Sequence, residues 1–305
     1  MNARMSAALA WGGVLLAGAL WGGGALVAQF LIDGGIAPQS LSLARFALGL
    51  PLLWWLYWRT PAQPDARWAD LSGRERFQIV ATGAAMALNV SCWFAGIAHL
   101  GAALPTVISI CCAPVIVALV SVLRGYERFG ARLLAGLLLA LSGVLLLVMP
   151  AEGWGPLAPG HMAGLAWSFG SAFCYALVVL GNARMPVRVP AVTASAWGMT
   201  VAALCMLAIT WPGGITWPAN AAQWLGVGYT GVVTTSVAYL AFAWGARRLS
   251  PTAAVVGTLI EPLVAAVLAA MLLAQPMAPR QWAGAVLLAA AMVLLVGRQG
   301  TTGAA

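Results

Sequence analysis

The feature that most constrains this chain is a succession of ten apolar runs, each long enough to cross a lipid bilayer. A membrane-spanning helix needs about 20 apolar residues. The predicted spans are 7–32, 38–58, 77–98, 101–123, 130–149, 160–181, 190–211, 221–246, 251–273 and 280–297. Because 62% of the residues are hydrophobic and 7% are charged, the chain cannot cover a globular surface with polar groups. The sequence therefore predicts an all-α integral membrane protein and excludes a soluble enzyme or binding module.

The positions of the arginines predict how the spans are oriented. All 15 basic residues are arginines. If the N-terminus is cytoplasmic, 13 of them fall on the cytoplasmic side, Arg280 falls outside and Arg45 lies within a span. Basic residues accumulate in cytoplasmic loops because they resist translocation. The net charge of +8 is thus interpreted as a topological signal and not as a nucleic-acid surface. We predict a multi-pass protein of the inner (plasma) membrane with both termini cytoplasmic.

The two halves of the chain resemble each other. A shift of 148 residues aligns Phe94-Ala95 with Phe242-Ala243 and Pro114 with Pro262. A shift of 146 aligns Gly18-x-x-Trp21-x-x-Gly24 with Gly164-x-x-Trp167-x-x-Gly170. Each half then holds five spans, and an odd number gives the second half the inverse orientation. The predicted units are residues 7–149 and 160–298, two inverted repeats of the kind that place a transporter's substrate site near the membrane midplane.

Both halves carry a set of spaced motif residues. In the first half these are Trp21-Gly22, Arg45 and the run Pro114-x12-Glu127-x8-Gly136-x6-Gly143; in the second they are Trp167, Glu261-Pro262, Arg280 and Gly284. On these residues the sequence resembles the EamA family of the drug/metabolite transporter superfamily, with Gln275 where that repeat has Glu. The resemblance implies ten spans in two inverted five-helix repeats, and export of amino acids or other metabolites. The aromatic-rich interior is similar in particular to the YddG-type amino-acid exporters.

Two prolines occupy corresponding positions within predicted spans. Pro114 and Pro262 each remove a backbone N–H and leave a carbonyl without its helical partner. Such a carbonyl should face protein or a water-filled cavity. We interpret the prolines as helix breaks beside a binding site, with a structural kink as the alternative.

Glu261 is the one acidic residue deep in a predicted span. It lies about 15 Å from the cytoplasmic end of its span, at about 1.5 Å per residue. A carboxylate at that depth should face the protein interior. Glu261 is predicted to couple protons or to contact a substrate amine. The alternative is a structural role, as an ion pair with Arg45 or as a neutral carboxyl bonded to the backbone that Pro262 loosens.

Aromatic and polar residues share faces on four spans and are predicted to line a substrate cavity. The cavity residues predicted on these faces are Trp21, Gln29, Asn89, Trp93, Trp167, Ser171, Tyr175 and Tyr239. Thr258 is predicted to join them, because Pro262 leaves its carbonyl without a helical partner. An aromatic plane with a polar tip suits a flat or cationic ligand. The alternative is that the Trp and Tyr side chains form interfacial belts or pack between helices.

His99 and Arg247 are equivalent in the repeat, at opposite ends of their spans. They are candidate gates of an alternating-access cycle. The alternative makes His99 an interfacial residue and Arg247 a topological charge.

These patterns predict a secondary transporter that exports small amphipathic metabolites by alternating access, in particular amino acids including aromatic ones. Transport is predicted to follow the substrate gradient or to be coupled to proton entry. No nucleotide-binding motif is visible. Two alternatives remain, an exporter of drugs or cationic compounds with the same fold and an intramembrane enzyme. The enzyme is disfavoured because neither a nucleophile–base pattern nor a metal-ligand cluster occurs, and no cofactor or metal is expected. The sequence leaves the oligomeric state open.

Overall fold

The computed structural model describes residues 3–60, 67–100, 103–149, 161–272 and 277–296, and within them the fold is all-helical. The main helices are α1 (Ala3–Asp33), α2 (Pro38–Arg59), α3 (Gly73–Leu100), α4 (Ala103–Leu123), α5 (Ala131–Val148), α6 (His161–Ala183), α7 (Ala191–Thr210), α8 (Ala221–Ala246), α9 (Pro251–Leu272) and α10 (Pro279–Val296). In the described part of the chain, α1 to α9 are long and apolar enough to cross a membrane, and α10 is a shorter apolar helix. The prediction of an all-α membrane protein with ten spans is confirmed.

Helix boundaries follow local chemistry. Pro38 and Pro251 stand at the first positions of α2 and α9, where a missing N–H costs nothing. The hydroxyl of Ser250 accepts a hydrogen bond from the N–H of Ala253 at 3.3 Å, which caps α9. In lipid the helix satisfies every backbone group within one segment, which explains why it dominates this chain.

The packing of the helices repeats between the two halves. Helix α1 packs on α8 and α9, and its counterpart α6 packs on α3 and α4. Helix α2 packs on α7 and α8, and α7 packs on α2 and α3. Helices α5 and α10 pack on each other, as do α4 and α9. The helix counterparts are α1 and α6, α2 and α7, α3 and α8, α4 and α9, and α5 and α10. If every helix is swapped with its counterpart, the same set of contacts results, as expected for two five-helix repeats.

Two helices depart from regular α geometry. Helix α8 is π-helical over Thr230–Val237. Helix α9 is interrupted at Leu259, between Pro251–Thr258 and Ile260–Leu272, three residues before Pro262. Helix α4 differs from the expectation at Pro114, because it continues through this proline without a break. One proline removes one intrahelical hydrogen bond, and here the flanking turns hold the helix together.

Several expectations fall on positions outside the described residues. These are residues 101–102, 160, 273 and 297–298 at the edges of predicted spans and repeats, together with Gln275 and Arg298. The side of the bundle where α1 ends and α2 begins is called the Gly34 side below. The opposite side, where α2 ends, is called the Arg59 side.

Candidate functional site

A cavity of about 520 Å³ lies between the two repeats. Its wall is built from the C-terminal halves of α1 and α3, the N-terminal halves of α2 and α4, two residues each of α6 and α8, and Glu261 of α9. All four half-helices lead from the bundle centre to the Gly34 side. Ligand pockets typically measure about 300–1,000 Å³, so the cavity can hold a small metabolite.

The structure brings most of the predicted site residues to this wall. They are Trp21, Gln29, Asn89, Trp93, Ser171, Tyr175 and Tyr239, together with Arg45 and Glu261. They come from six different helices, so the site exists only in the folded bundle. The aromatic rings and the polar groups therefore face one common space.

Arg45 and Glu261 are the charged residues on the wall, one from α2 and one from α9. Both lie in the described ranges, and their side chains form no salt bridge with each other within 4.0 Å. The Nε of Arg45 donates to the hydroxyl of Thr235 at 3.2 Å. A basic and an acidic group thus share the cavity while neither neutralises the other by contact.

The aromatic wall is held in place by hydrogen bonds. The indole N–H of Trp21 donates to the Thr234 carbonyl at 2.8 Å, and the ring centroids of Trp21 and Tyr239 lie 5.0 Å apart. The indole N–H of Trp93 donates to the hydroxyl of Thr106 at 3.1 Å. These bonds fix the ring planes, so the aromatic surface is formed before any ligand arrives.

Hydroxyl and amide groups form a second, polar wall. The Ser171 hydroxyl donates to the side-chain oxygen of Asn89 at 2.9 Å and lies 3.0 Å from the hydroxyl of Ser109. The Tyr175 hydroxyl donates to Thr258 Oγ1 at 3.0 Å. Thr258 is buried behind Tyr175, so it supports the wall without lining the cavity.

Trp167 lies away from the cavity, in contrast to Trp21. Its side chain is 46% exposed, whereas that of Trp21 is 8% exposed. Helix α6 meets α3 through Gly164, Ser168 and Ser171, and Ser168 is completely buried. Trp167 lies about one turn before Ser171, at the edge of this face, and its exposed side chain does not line the cavity.

The gate candidates His99 and Arg247 lie in opposite environments. His99, at the Gly34 end of α3, is exposed. Arg247, at the Arg59 end of α8, is 8% exposed, and its guanidinium donates to the carbonyls of Ala243 and Val189. His99 is thus accessible at the Gly34 side of the bundle, whereas Arg247 is buried at the Arg59 side.

A second, much smaller pocket of about 20 Å³ lies toward the Arg59 side. It is lined by the second half of α6, the first half of α7 and the end of α8, together with Thr82, Gly83 and Met86 of α3. The α6, α7 and α8 segments are the repeat counterparts of half-helices of α1, α2 and α3 around the large cavity. Met86 and Tyr239 line both spaces, and the Tyr239 hydroxyl lies 3.1 Å from the Met86 sulfur. These two side chains separate the small pocket from the large cavity.

Several wall residues did not emerge from the sequence. They are Ser42, Met86, Phe94, Thr106, Ser109 and Thr234. One signal was present, because Thr230, Thr234, Thr235 and Ser236 form a cluster of hydroxyls within an apolar span. Their π-helical geometry has no comparable sequence pattern.

The fold and the cavity define a class, a multi-pass membrane transporter built of two helical repeats around a central site. The EamA-like transporter family model matches residues 8–149 and 162–297, one match in each half. The chain belongs to the EamA-like transporter family.

Two relatives and one solved structure resemble the chain along nearly its whole length. An uncharacterized transporter of Bacillus subtilis, YwfM, is 26% identical over 287 residues, which cover 92% of each chain. An uncharacterized inner membrane transporter of Salmonella typhimurium, YicL, is 25% identical over 286 residues, covering 92% of this chain and 93% of the relative. A crystal structure at 19% identity covers 98% of this chain and 100% of its own, with a TM-score of 0.80, which shows the shared fold.

Proposed function

We propose that this chain is a secondary transporter that exports small zwitterionic metabolites, in particular amino acids with aromatic side chains. The observation that carries the proposal is the pair of Arg45 and Glu261, which face one cavity without contacting each other. A zwitterion brings a carboxylate for the arginine and an ammonium group for the glutamate. The rings of Trp21, Trp93 and Tyr239 then offer an apolar surface to the side chain.

The proposed cycle is alternating access between the two repeats. The positive-inside rule places the Arg59 side in the cytoplasm, with both termini there and the large cavity open to the outside. The small pocket bounded by Met86 and Tyr239 is then the closed inward half of the pathway. We place the protein in the inner membrane, as the name of the Salmonella relative states for that protein.

The residues proposed to act in this cycle follow from their positions. Glu261 and Arg45 bind the charged ends of the substrate, and Glu261 is also the candidate for proton coupling. His99 and Arg247 mark the open and the closed end. The domain units of the cycle are the repeats 7–149 and 160–298.

The test is transport by purified protein in lipid vesicles, with labelled phenylalanine as substrate and 2-phenylethylamine as its analogue without a carboxylate. In Glu261→Gln, phenylalanine keeps Arg45 as a partner and should lose about 10- to 150-fold in affinity, since a charged hydrogen bond contributes about 1.5–3 kcal/mol. Asp70→Asn, an exposed charge removal far from the cavity, is the control. Absence of flux for every amino acid tested contradicts the proposal.

A second function, export of cationic compounds, is favoured by the same aromatic wall and Glu261. A cation has Glu261 as its one counter-charge on the wall, and Arg45 repels it. If the amine is transported and Glu261→Gln abolishes this flux, the cationic function replaces the zwitterionic one. A counterflow assay distinguishes proton coupling from substrate binding. A variant that has lost only proton coupling still exchanges substrate across the membrane in the absence of a proton gradient.

A further inference from the structure

The π-helical segment of α8 touches the candidate site at two points. From Thr230 to Val237 the helix is wider than an α-helix, and the N–H of Ala238 bonds the carbonyl of Val233, five residues earlier. Short π-helical segments occur frequently at functional sites, where they alter which groups a helix presents. Here the segment accepts hydrogen bonds from Trp21 and Arg45, an aromatic and a cationic residue of the cavity wall.

The contacts of the segment are made by consecutive threonines. The Thr234 carbonyl accepts the indole N–H of Trp21 at 2.8 Å. The Thr235 hydroxyl accepts from the Nε of Arg45 at 3.2 Å and donates to the Thr230 carbonyl at 3.0 Å. Thr235 is completely buried, so no water competes for its hydroxyl.

The segment is also clamped against α2, the helix that carries Arg45. The Ser236 hydroxyl donates to the Gly49 carbonyl at 2.6 Å. A Cβ atom at Gly49 would lie 2.9 Å from the Gly231 carbonyl oxygen, so the two helices approach as closely as glycine allows. Thr235 is therefore held at a fixed distance from the base of the Arg45 side chain.

We propose that Thr235 is a positioning residue that orients the Arg45 guanidinium toward a substrate carboxylate, and so determines the preference for carboxylate-bearing ligands. With Nε held by Thr235, the two terminal amino groups of Arg45 remain for the ligand, and no hydrogen bond from them occurs within the described residues. A planar guanidinium that offers two parallel N–H groups suits a carboxylate. The inference builds on the proposed recognition of zwitterions.

The hydroxyl of Thr235 accepts a hydrogen bond from Arg45 and donates one to the Thr230 carbonyl. Substitutions at this position can therefore remove or keep both bonds with little change in side-chain size. Thr235→Val keeps the branched shape but removes both bonds, whereas Thr235→Ser keeps the hydroxyl. Thr230→Val is the matched control, since it removes a buried hydroxyl of the same π-helical segment that bonds only the Val227 carbonyl. Thr235→Ala removes the same hydroxyl and replaces the valine variant if that variant does not purify.

The experiment measures binding of 3-phenylpropionate, phenylalanine and 2-phenylethylamine to the purified full-length protein in detergent. Thr235→Val should weaken both carboxylate ligands by roughly five- to tenfold, a loss of about 1.4 kcal/mol at the upper value, and leave the amine within about twofold. Thr235→Ser and Thr230→Val should bind all three probes as the wild type does. In an Arg45→Gln background, adding Thr235→Val should cause no further loss, because Thr235 acts through Arg45.

Three results would overturn the inference. A structural role would weaken all three ligands equally, or would add its full effect to that of Arg45→Gln. Wild-type protein that binds neither carboxylate probe refutes both the inference and the zwitterion proposal. Wild-type protein that binds 3-phenylpropionate and shows the Thr235 pattern, but transports no amino acid, refutes the proposed function and leaves the inference standing.

Discussion

A methyl group added at Gly143 should separate α5 from α10 and lower the thermal stability of the protein. A Cβ atom at Gly143 would lie 2.8 Å from both the Gly284 carbonyl oxygen and the Leu288 backbone nitrogen. These are backbone atoms within a helix, so no side-chain rotation can remove the overlap. The partner glycine is equally close, since a Cβ at Gly284 would lie 2.6 Å from the Gly143 carbonyl oxygen.

The size of the effect follows from that overlap. Ordinary contacts of a Cβ begin at 3.4 Å, so a Cβ placed at 2.8 Å forces the helices about 0.6 Å apart. Overpacking of this kind typically costs about 1–3 kcal/mol. Alanine also favours the helix over glycine by up to about 1 kcal/mol, which must be subtracted. Gly12→Ala provides this correction, because Gly12 lies in α1 and a methyl group added there would meet no atom within 4 Å.

The assay is the melting temperature of each purified variant in detergent. Gly143→Ala should melt roughly 2–12 °C below Gly12→Ala, at about 2–4 °C per kcal/mol. The double variant Gly143→Ala/Gly284→Ala should lose less than the two single variants together, because the first methyl has already separated the helices. Equal melting temperatures for Gly143→Ala and Gly12→Ala would refute the close approach of α5 and α10.

Two further predictions concern the cavity. The first uses a protein whose native cysteines are replaced by serine. In this background, Ala25→Cys on the exposed cavity wall should react with a membrane-impermeant maleimide applied outside cells, and the fully buried Ala246→Cys should not. Labelling of Ala246→Cys alone would reverse the proposed orientation or state. The second is Trp21→Leu, which removes an aromatic plane from the wall. The preference for phenylalanine over leucine should fall about two- to tenfold when it is measured by competition. An unchanged preference would place the aromatic ring of the substrate away from Trp21.

The span pattern was predictable in detail, including the two tightest connections. One helix ends at Leu100 and the next begins at Ala103, while α8 ends at Ala246 and α9 begins at Pro251. The transfer of an apolar segment into lipid depends mainly on its own residues, so the sequence suffices to locate it. The break in α9 falls near Pro262 as expected, whereas α4 continues through Pro114, because a proline weakens a helix without dictating whether its neighbours hold it.

The candidate site was only partly predictable. Depth and residue type pointed to Arg45, Glu261 and most of the aromatic wall, and the structure places these residues around one cavity. Trp167 was expected there through its alignment with Trp21, yet it lies outside. A sequence repeat aligns positions along two helices but does not fix the rotation of each helix against its neighbours.

The sequence alone determined that the chain lies in a lipid bilayer and how many spans it has. Both properties depend on the summed hydrophobicity of local apolar segments. What the tertiary structure decided is which polar groups meet. Thr235 lies 190 positions from Arg45, and no local pattern announces the π-helical turn that joins them. Such a contact arises from the rotation and close approach of whole helices, which depend on packing across the entire bundle.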